Sequence, residues 1–259
     1  MKTGVGENMD KDIPILEQRG IENDGLISAK DVIDKNMLPK HIKTALLFFD
    51  SRPSKEIKDN SEILFNFIAA SSILPQYIYK NQIVISYAPL GGPAAGGLVE
   101  ELIAYGIKRI IACGSSGLIG DFDSSKFLLV SKAIRDEGLS YHYLKPTLFV
   151  HTDQELNHQI KEYFSAKNID YDLGITWTTD AFYKETKERI NIRKEQGAIA
   201  VEMECASMAA VCLFRKVEFA QVLFFSDIVN QETWSGFRTD RHTVKEIINK
   251  VMIDIAMNL

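Results

Sequence analysis

The sequence predicts an α/β fold: a single domain with a central mixed β-sheet covered by helices. Three observations lead there. Apolar runs without polar alternation, such as Ala45-Leu46-Leu47-Phe48-Phe49 and Phe219 to Phe225, mark strands buried on both faces. Segments of helical spacing stand beside them, the clearest having Leu98, Leu102 and Tyr105 at i, i+4 and i+7. Finally, strand and helix follow one another with glycine or proline between them. A chain of 259 residues can bury one large core, and α/β domains of this length are often single.

Residues 1–40 are polar and charge-mixed, with Gly4, Gly6, Gly20 and Gly25 and few aromatics. They read as a peripheral amino-terminal arm, and residues 41–259 as the α/β domain. Within the arm, Ser28-Ala-Lys-Asp31 offers a capping box for a short helix. From Thr44 the texture changes. The run 45–49 reads as a buried strand that ends in the loop Asp50-Ser51-Arg52-Pro53. Gln82 to Tyr87 is a second strand, closed by the turn Pro89-Leu-Gly91-Gly92-Pro93. The helix that follows adds Val99 and Ile103 to its apolar face and stops at Gly106. Arg109 to Cys113 is the next strand. Ala206 to Phe214 has helical spacing and leads to the strand Phe219 to Phe225, and Val244 to Met257 forms a terminal helix. The chain has no repeat and no low-complexity tract.

Composition narrows the function. Lys plus Arg number 30 and Asp plus Glu 35, a net charge of −5, which gives no reason to expect nucleic acid or an anionic membrane as partner. No apolar run reaches the length of a membrane span, and Met1 to Asp12 is too polar for a signal peptide. Cys113, Cys205 and Cys212 lie in apolar contexts without metal-ligand spacing, as reduced core residues do. The expectation is a cytoplasmic enzyme-sized protein with no metal.

Four short stretches carry residues suited to chemistry. In Val201-Glu202-Met203-Glu204 two carboxylates flank a methionine amid apolar residues. Buried carboxylates need donors. A sugar with vicinal hydroxyls supplies them and offers the methionine an apolar face; a helix start with acids favoured by the macrodipole explains the same residues. Gly114-Ser115-Ser116-Gly117 follows a buried strand, where small residues let backbone N–H groups approach an oxyanion or sugar, although taken alone a tight turn is the plainer account. Phe224-Phe225-Ser226-Asp227 sets an acid after an apolar strand, where desolvation raises a carboxyl toward neutrality; capping of the next turn is the plainer alternative. Thr179-Asp180-Ala181-Phe182-Tyr183 brings aromatics that stack on a planar base or simply pack. Neither glycine-rich stretch is a dinucleotide fingerprint or a P-loop.

Together these stretches resemble the nucleoside phosphorylase superfamily: the hexameric purine nucleoside phosphorylases, the uridine phosphorylases and the methylthioadenosine/S-adenosylhomocysteine nucleosidases. The resemblance runs from about Thr44 to Asp227, with Gly91-Gly-Pro93, Gly114-Ser-Ser-Gly117, Asp180-Ala-Phe182, Val201-Glu-Met-Glu204 and Ser226-Asp227 in the family's order. Ala133-Ile-Arg-Asp-Glu-Gly138 with Ser140-Tyr-His-Tyr143 looks like the phosphorylase branch. The resemblance implies ribose held by Glu202, Met203 and Glu204, a base stacked on Phe182, and Asp227 as the acid that protonates a purine N7. It also implies phosphate at Arg52, Gly114 and Ser115 as co-substrate without a further cofactor, and a dimer-based homo-oligomer, up to a hexamer. The expected activity is that of a pentosyltransferase: phosphorolysis of a nucleoside, purine favoured, to free base and ribose 1-phosphate.

The phosphate half departs from the pattern. The family's strand arginine ahead of the Gly-Ser turn falls at Ala112, and no arginine occurs between Arg52 and Arg109. Each such charged contact contributes on the order of 1.5–3 kcal/mol. Two further readings therefore stand beside phosphorolysis: a nucleoside hydrolase, and a nucleoside-binding protein with weakened catalysis.

Overall fold

A computed structural model describes residues 13–34, 36–49, 53–69, 72–229, 234–236 and 241–259. Its strands are β1 (Thr44–Phe48), β2 (Ser61–Ala69), β3 (Ser72–Tyr79), β4 (Ile83–Tyr87), β5 (Arg109–Leu118), β6 (Phe127–Asp136), β7 (Phe149–His151), β8 (Tyr171–Thr179), β9 (Ala198–Glu202), β10 (Glu218–Val229) and β11 (Trp234–Gly236). The helices are α1 (Ala29–Val32), α2 (Lys55–Asp59), α3 (Gly92–Tyr105), α4 (Gln154–Ala166), α5 (Lys187–Glu195), α6 (Cys205–Arg215) and α7 (Arg241–Asn258). The capping box expected at Ser28 is present, with Asp31 answering the Ser28 N–H. Among the described residues no helix is long and apolar enough to cross a membrane.

The strands form one mixed sheet, as expected, and part of it closes on itself. β10 pairs with β6, β6 with β8, β8 with β9, β9 with β5, and β5 again with β10. From this ring the sheet opens outward through β1, β4, β3 and β2. Consecutive strand residues serve opposite layers. Leu47, Ile110 and Ala112 face the core under α3 and α6, with Leu98, Val99, Met208 and Val211. Leu46, Ile111 and Cys113 face the core under α4 and α7, with Leu156, Ile160, Met252 and Ile255. Both faces of these strands are thus covered, which is why the sequence shows apolar runs where a half-exposed sheet would alternate.

Two strands outrun the expected boundaries. The strand expected to end at Cys113 continues to Leu118, so Gly114-Ser115-Ser116-Gly117 is extended strand and not a turn. Pairing overrides local turn chemistry here: Gly117 lies opposite Val201 on one edge and Asp227 on the other. Likewise β10 does not stop at Phe225 but runs to Val229, with a bulge between Phe225 and Asp227. Asp227 therefore does not follow the strand; it stands on it.

Helix α3 meets α6 through glycine. A Cβ at Gly92 would fall 2.2 Å from Ser207 Oγ, so only glycine permits this approach of the two helix starts. Gly106, at φ +112°, ends α3 in the left-handed region as the sequence predicts. Replacing Gly92 by alanine is expected to destabilise the fold by about 1–3 kcal/mol, the usual cost of overpacking. Urea unfolding of Gly92→Ala against the parent chain measures this.

Candidate active site

β9 delivers Glu202 to its carboxyl end, Met203 turns, and Glu204 occupies the position just before α6. Glu202 is buried and carries a full set of donors. Its Oε2 accepts the N–H groups of Glu204 at 2.8 Å and Cys205 at 2.7 Å. Its Oε1 accepts the hydroxyls of Thr178 at 2.6 Å and, more distantly, Thr176 at 3.4 Å. Glu202 thus answers the unpaired N–H groups of a helix start, where negative charge is favoured.

Glu204 makes no such cap. Its side chain, 5% exposed, turns toward α3, and Oε1 accepts the Gly91 N–H at 2.6 Å. Gly91 holds φ +91° with ψ 145°, a conformation open to glycine and strained for other residues, which aims its N–H at the carboxylate. Burial, the charge of Glu202 and that of Asp180 push Glu204 up to about 8, against the pull of the Gly91 and Met203 N–H groups. Burial likewise drives Glu202 upward, opposed by its four donors.

The other end of the site comes from β8 and β10. After Thr179, Asp180 Oδ2 accepts the Gly138 N–H at 2.8 Å, and a 3₁₀ turn runs over Phe182–Lys184. Phe182 is 48% exposed and Tyr183 90%, their rings 4.0 Å apart between centroids. Glu185, which follows, is only partly exposed. Burial, and then the charge of Asp227, push it up to about 7. Asp227 accepts from Ser226 Oγ at 2.7 Å, and its bulge lets it stand opposite Gly117 on β5. Since Gly117 also faces Val201, Asp227 and the Glu202–Glu204 segment lie on either side of one strand, about 10 Å apart by the usual strand spacing.

With this geometry in place, comparison with known proteins is decisive for the family. Residues 66–256 match the model of the phosphorylase superfamily. The chain belongs to that superfamily. A protein of Acanthamoeba polyphaga mimivirus described as uncharacterized is 27% identical over 235 residues, covering 83% of this chain and 88% of the relative. The DeoD-type purine nucleoside phosphorylase of Buchnera aphidicola is 30% identical over 163 residues, 61% of this chain and 70% of that one. A mutant futalosine hydrolase of Helicobacter pylori superposes with a TM-score of 0.67 at 19% identity, over 84% of this chain and all of the other; that likeness concerns the fold alone. The family match starts later than Thr44 and continues beyond Asp227 through most of α7.

Of the residues singled out in the sequence of this superfamily member, Glu202, Met203 and Glu204 form one segment beside Gly91, and Asp180 acts on Glu204 across the gap. Gly114 is buried in β5, whereas Ser115 is exposed on an otherwise buried stretch of that strand. Ala112 packs in the core under α3 and α6, as the loss of the strand arginine implies. Arg52 lies outside the described residues. Sequence reasoning missed Glu185. It stands three residues beyond Phe182, one 3₁₀ turn on, and that spacing was the available signal. Thr186, next to it, starts α5 by accepting the Arg189 N–H.

The Glu204 carboxyl should leave a mark on stability. Folding holds its proton between the ordinary carboxylate range and about 8, where the unfolded chain has already lost it. The folded state binds the extra proton, so stability is expected to fall as pH rises through that window. Urea unfolding at several pH values should show this slope, and Glu204→Gln should flatten it.

Proposed function

We propose that this protein cleaves the N-glycosidic bond of a nucleoside, purine in preference, and passes the ribosyl group to phosphate. One observation carries the reading. A buried carboxylate, Glu204, is held by a backbone N–H beside Met203, while across β5 a half-buried acid, Glu185, stands within reach of the charge of Asp227. These are the two needs of glycosidic cleavage: a grip on sugar hydroxyls while the ring gains positive charge, and a proton for the departing base.

In this reading Glu204 accepts from the 2′- and 3′-hydroxyls and Met203 packs on the sugar. Glu202, whose oxygens are taken by protein donors, shapes the wall that holds them. Phe182 stacks on the base. Glu185 and Asp227 face the imidazole side of a purine, where one carboxyl donates to N7 and the other stays ionised. As the C1′–N9 bond breaks, its electron pair passes into the base, N7 takes the proton, and an acceptor oxygen bonds to C1′. The acceptor gives up a proton to solvent, and the acid recovers one from it. Phosphate binds at Ser115 and Gly114 with help from Arg52, and no other cofactor takes part. The relative named as a purine nucleoside phosphorylase supports phosphate as acceptor, and the reading includes a dimer-based homo-oligomer.

A second reading has water as the acceptor. The buried Ala112 favours it, because this position then offers phosphate no charged fork. Incubating the protein with inosine, adenosine, uridine or methylthioadenosine, with and without phosphate, separates the two. Ribose 1-phosphate formed only with phosphate establishes phosphorolysis; free ribose without phosphate establishes hydrolysis. Saturable binding without turnover would leave a nucleoside-binding protein.

The proton donor is open to its own test. Because Glu185 is pushed up to about 7 and acts in its protonated form, purine cleavage should decline as pH rises through that value. Glu185→Gln should lower kcat on the order of a hundredfold and abolish that limb of the profile. An unchanged profile would remove Glu185 from the role.

A further inference from the structure

The stretch Arg135-Asp136-Glu137-Gly138 takes no part in the proposed chemistry, yet it reaches both ends of the site. The Arg135 guanidinium is used up inside the protein. It donates to Ser140 Oγ at 2.8 Å, Thr147 Oγ1 at 2.9 Å, and the carbonyls of Lys145 at 2.7 Å and Leu144 at 3.1 Å. Asp136 accepts from Trp177 Nε1 at 3.0 Å and Arg193 Nη2 at 2.9 Å, and so ties β6 to β8 and α5. The Gly138 N–H holds Asp180 at the start of the Phe182 turn.

Glu137 is the unusual member. It is 5% exposed, and its Oε2 accepts the Ser140 N–H at 3.1 Å and the Ser207 hydroxyl. Its Oε1 is buried with no hydrogen-bond partner among the described residues. A carboxylate so placed is a poor source of net stability. What it does supply is a fixed geometry, because its other oxygen is satisfied only where the Ser207 hydroxyl of α6 and the Ser140 N–H converge. Ser207 lies three residues beyond Glu204, in the first turn of α6. Gly92, next to Gly91, is so close that a Cβ there would come within 3.6 Å of Glu137 Oε2 as well as striking Ser207. Glu137 therefore sits where the first turns of α3 and α6 meet, beside the Gly91–Glu204 hydrogen bond.

We propose that Glu137 is a positioning residue for the sugar end of the site: through the Ser207 hydroxyl it sets the first turn of α6 against that of α3, and so holds the Glu204 carboxylate on the Gly91 N–H. The inference rests on Glu204 being the ribose ligand. Glu137 touches neither sugar nor base, and acts only through Ser207 and Ser140.

A merely structural role would weaken every ligand alike, whereas a positioning role at the sugar end spares the free base. The test uses the full chain with phosphate present and compares KM for adenosine with Ki for free adenine. Glu137→Ala and Ser207→Ala are expected to raise KM for adenosine about tenfold, the scale of one lost hydrogen bond to a charged group. Ki for adenine should stay within about twofold, since the base end does not depend on this contact. Glu137→Gln, which keeps a carbonyl oxygen for Ser207, should recover most of the loss. If Glu137→Ala fails to fold, Ser207→Ala, which removes only the hydroxyl, reads the same contact. An unchanged KM in Ser207→Ala, or an equal loss for adenine, overturns the proposal. If the parent chain turns nothing over, calorimetric Kd values for adenosine and adenine replace the kinetic constants. Should the parent chain bind adenosine no better than adenine, the ribose site itself falls and this inference with it. Discrimination that survives both substitutions removes Glu137 alone.

Discussion

Inside the protein, Glu202 binds the amino terminus of α6 through two backbone N–H groups and through the hydroxyls of Thr176 and Thr178. The rest of the site depends on these bonds. They allow a buried strand to end in a charged residue, because each carboxylate oxygen has two donors and the helix start adds its partial positive charge. They also decide where Glu204 goes. With the first N–H groups of the helix already answered, the Glu204 side chain is released from capping and turns to Gly91. Two carboxylates two residues apart repel each other, and Glu204, with fewer donors, is pushed up by the charge of Glu202. The result is a carboxylate held chiefly by the Gly91 N–H, with capacity left to accept from hydroxyl groups.

The opposite end of the candidate site is assembled by different means. A 3₁₀ turn and a β-bulge bring Glu185 and Asp227 within range of each other's charge. The closed ring of strands makes this possible, since β5 runs between β9 and β10 and sets the two ends of the site on either side of Gly117. The place expected for phosphate has the opposite character. Ala112 faces the core under α3 and α6, and Ser115 is the exposed residue of that stretch.

Much of this architecture was legible in the sequence. The strands at Ala45 and Ile83, the helix after Gly91 with its stop at Gly106, and the helix after Glu204 all follow from local periodicity and termini. The hairpin of β2 and β3 was not. Its strands mix polar and apolar residues, and β3 carries Pro75, a residue that argues against a strand until its place on the ladder is known. Gly114 to Gly117 looked like a turn because its composition is that of a turn, yet backbone partners on both edges draw it into β5. The five family-like stretches were visible as motifs. That Glu202 and Glu204 do different work was not, because the distinction rests on Thr176 and Thr178 from β8 and on Gly91 from the turn before α3.

The sequence by itself determined the class of fold, the covered faces of the central strands, the membership in the phosphorylase superfamily and the short stretches that bear polar chemistry. These are properties of neighbouring residues, readable because burial on two faces and helix termination act over a few positions. Only the tertiary structure decided the closure of the strand ring, the extension of β10 past its apolar run, the meeting of Glu185 with Asp227, and the contact of Glu137 with Ser207. Each depends on residues about 40 or more positions apart in the chain. No local pattern encodes which backbone edge or which buried hydroxyl such a residue will find; that follows from packing the whole chain at once.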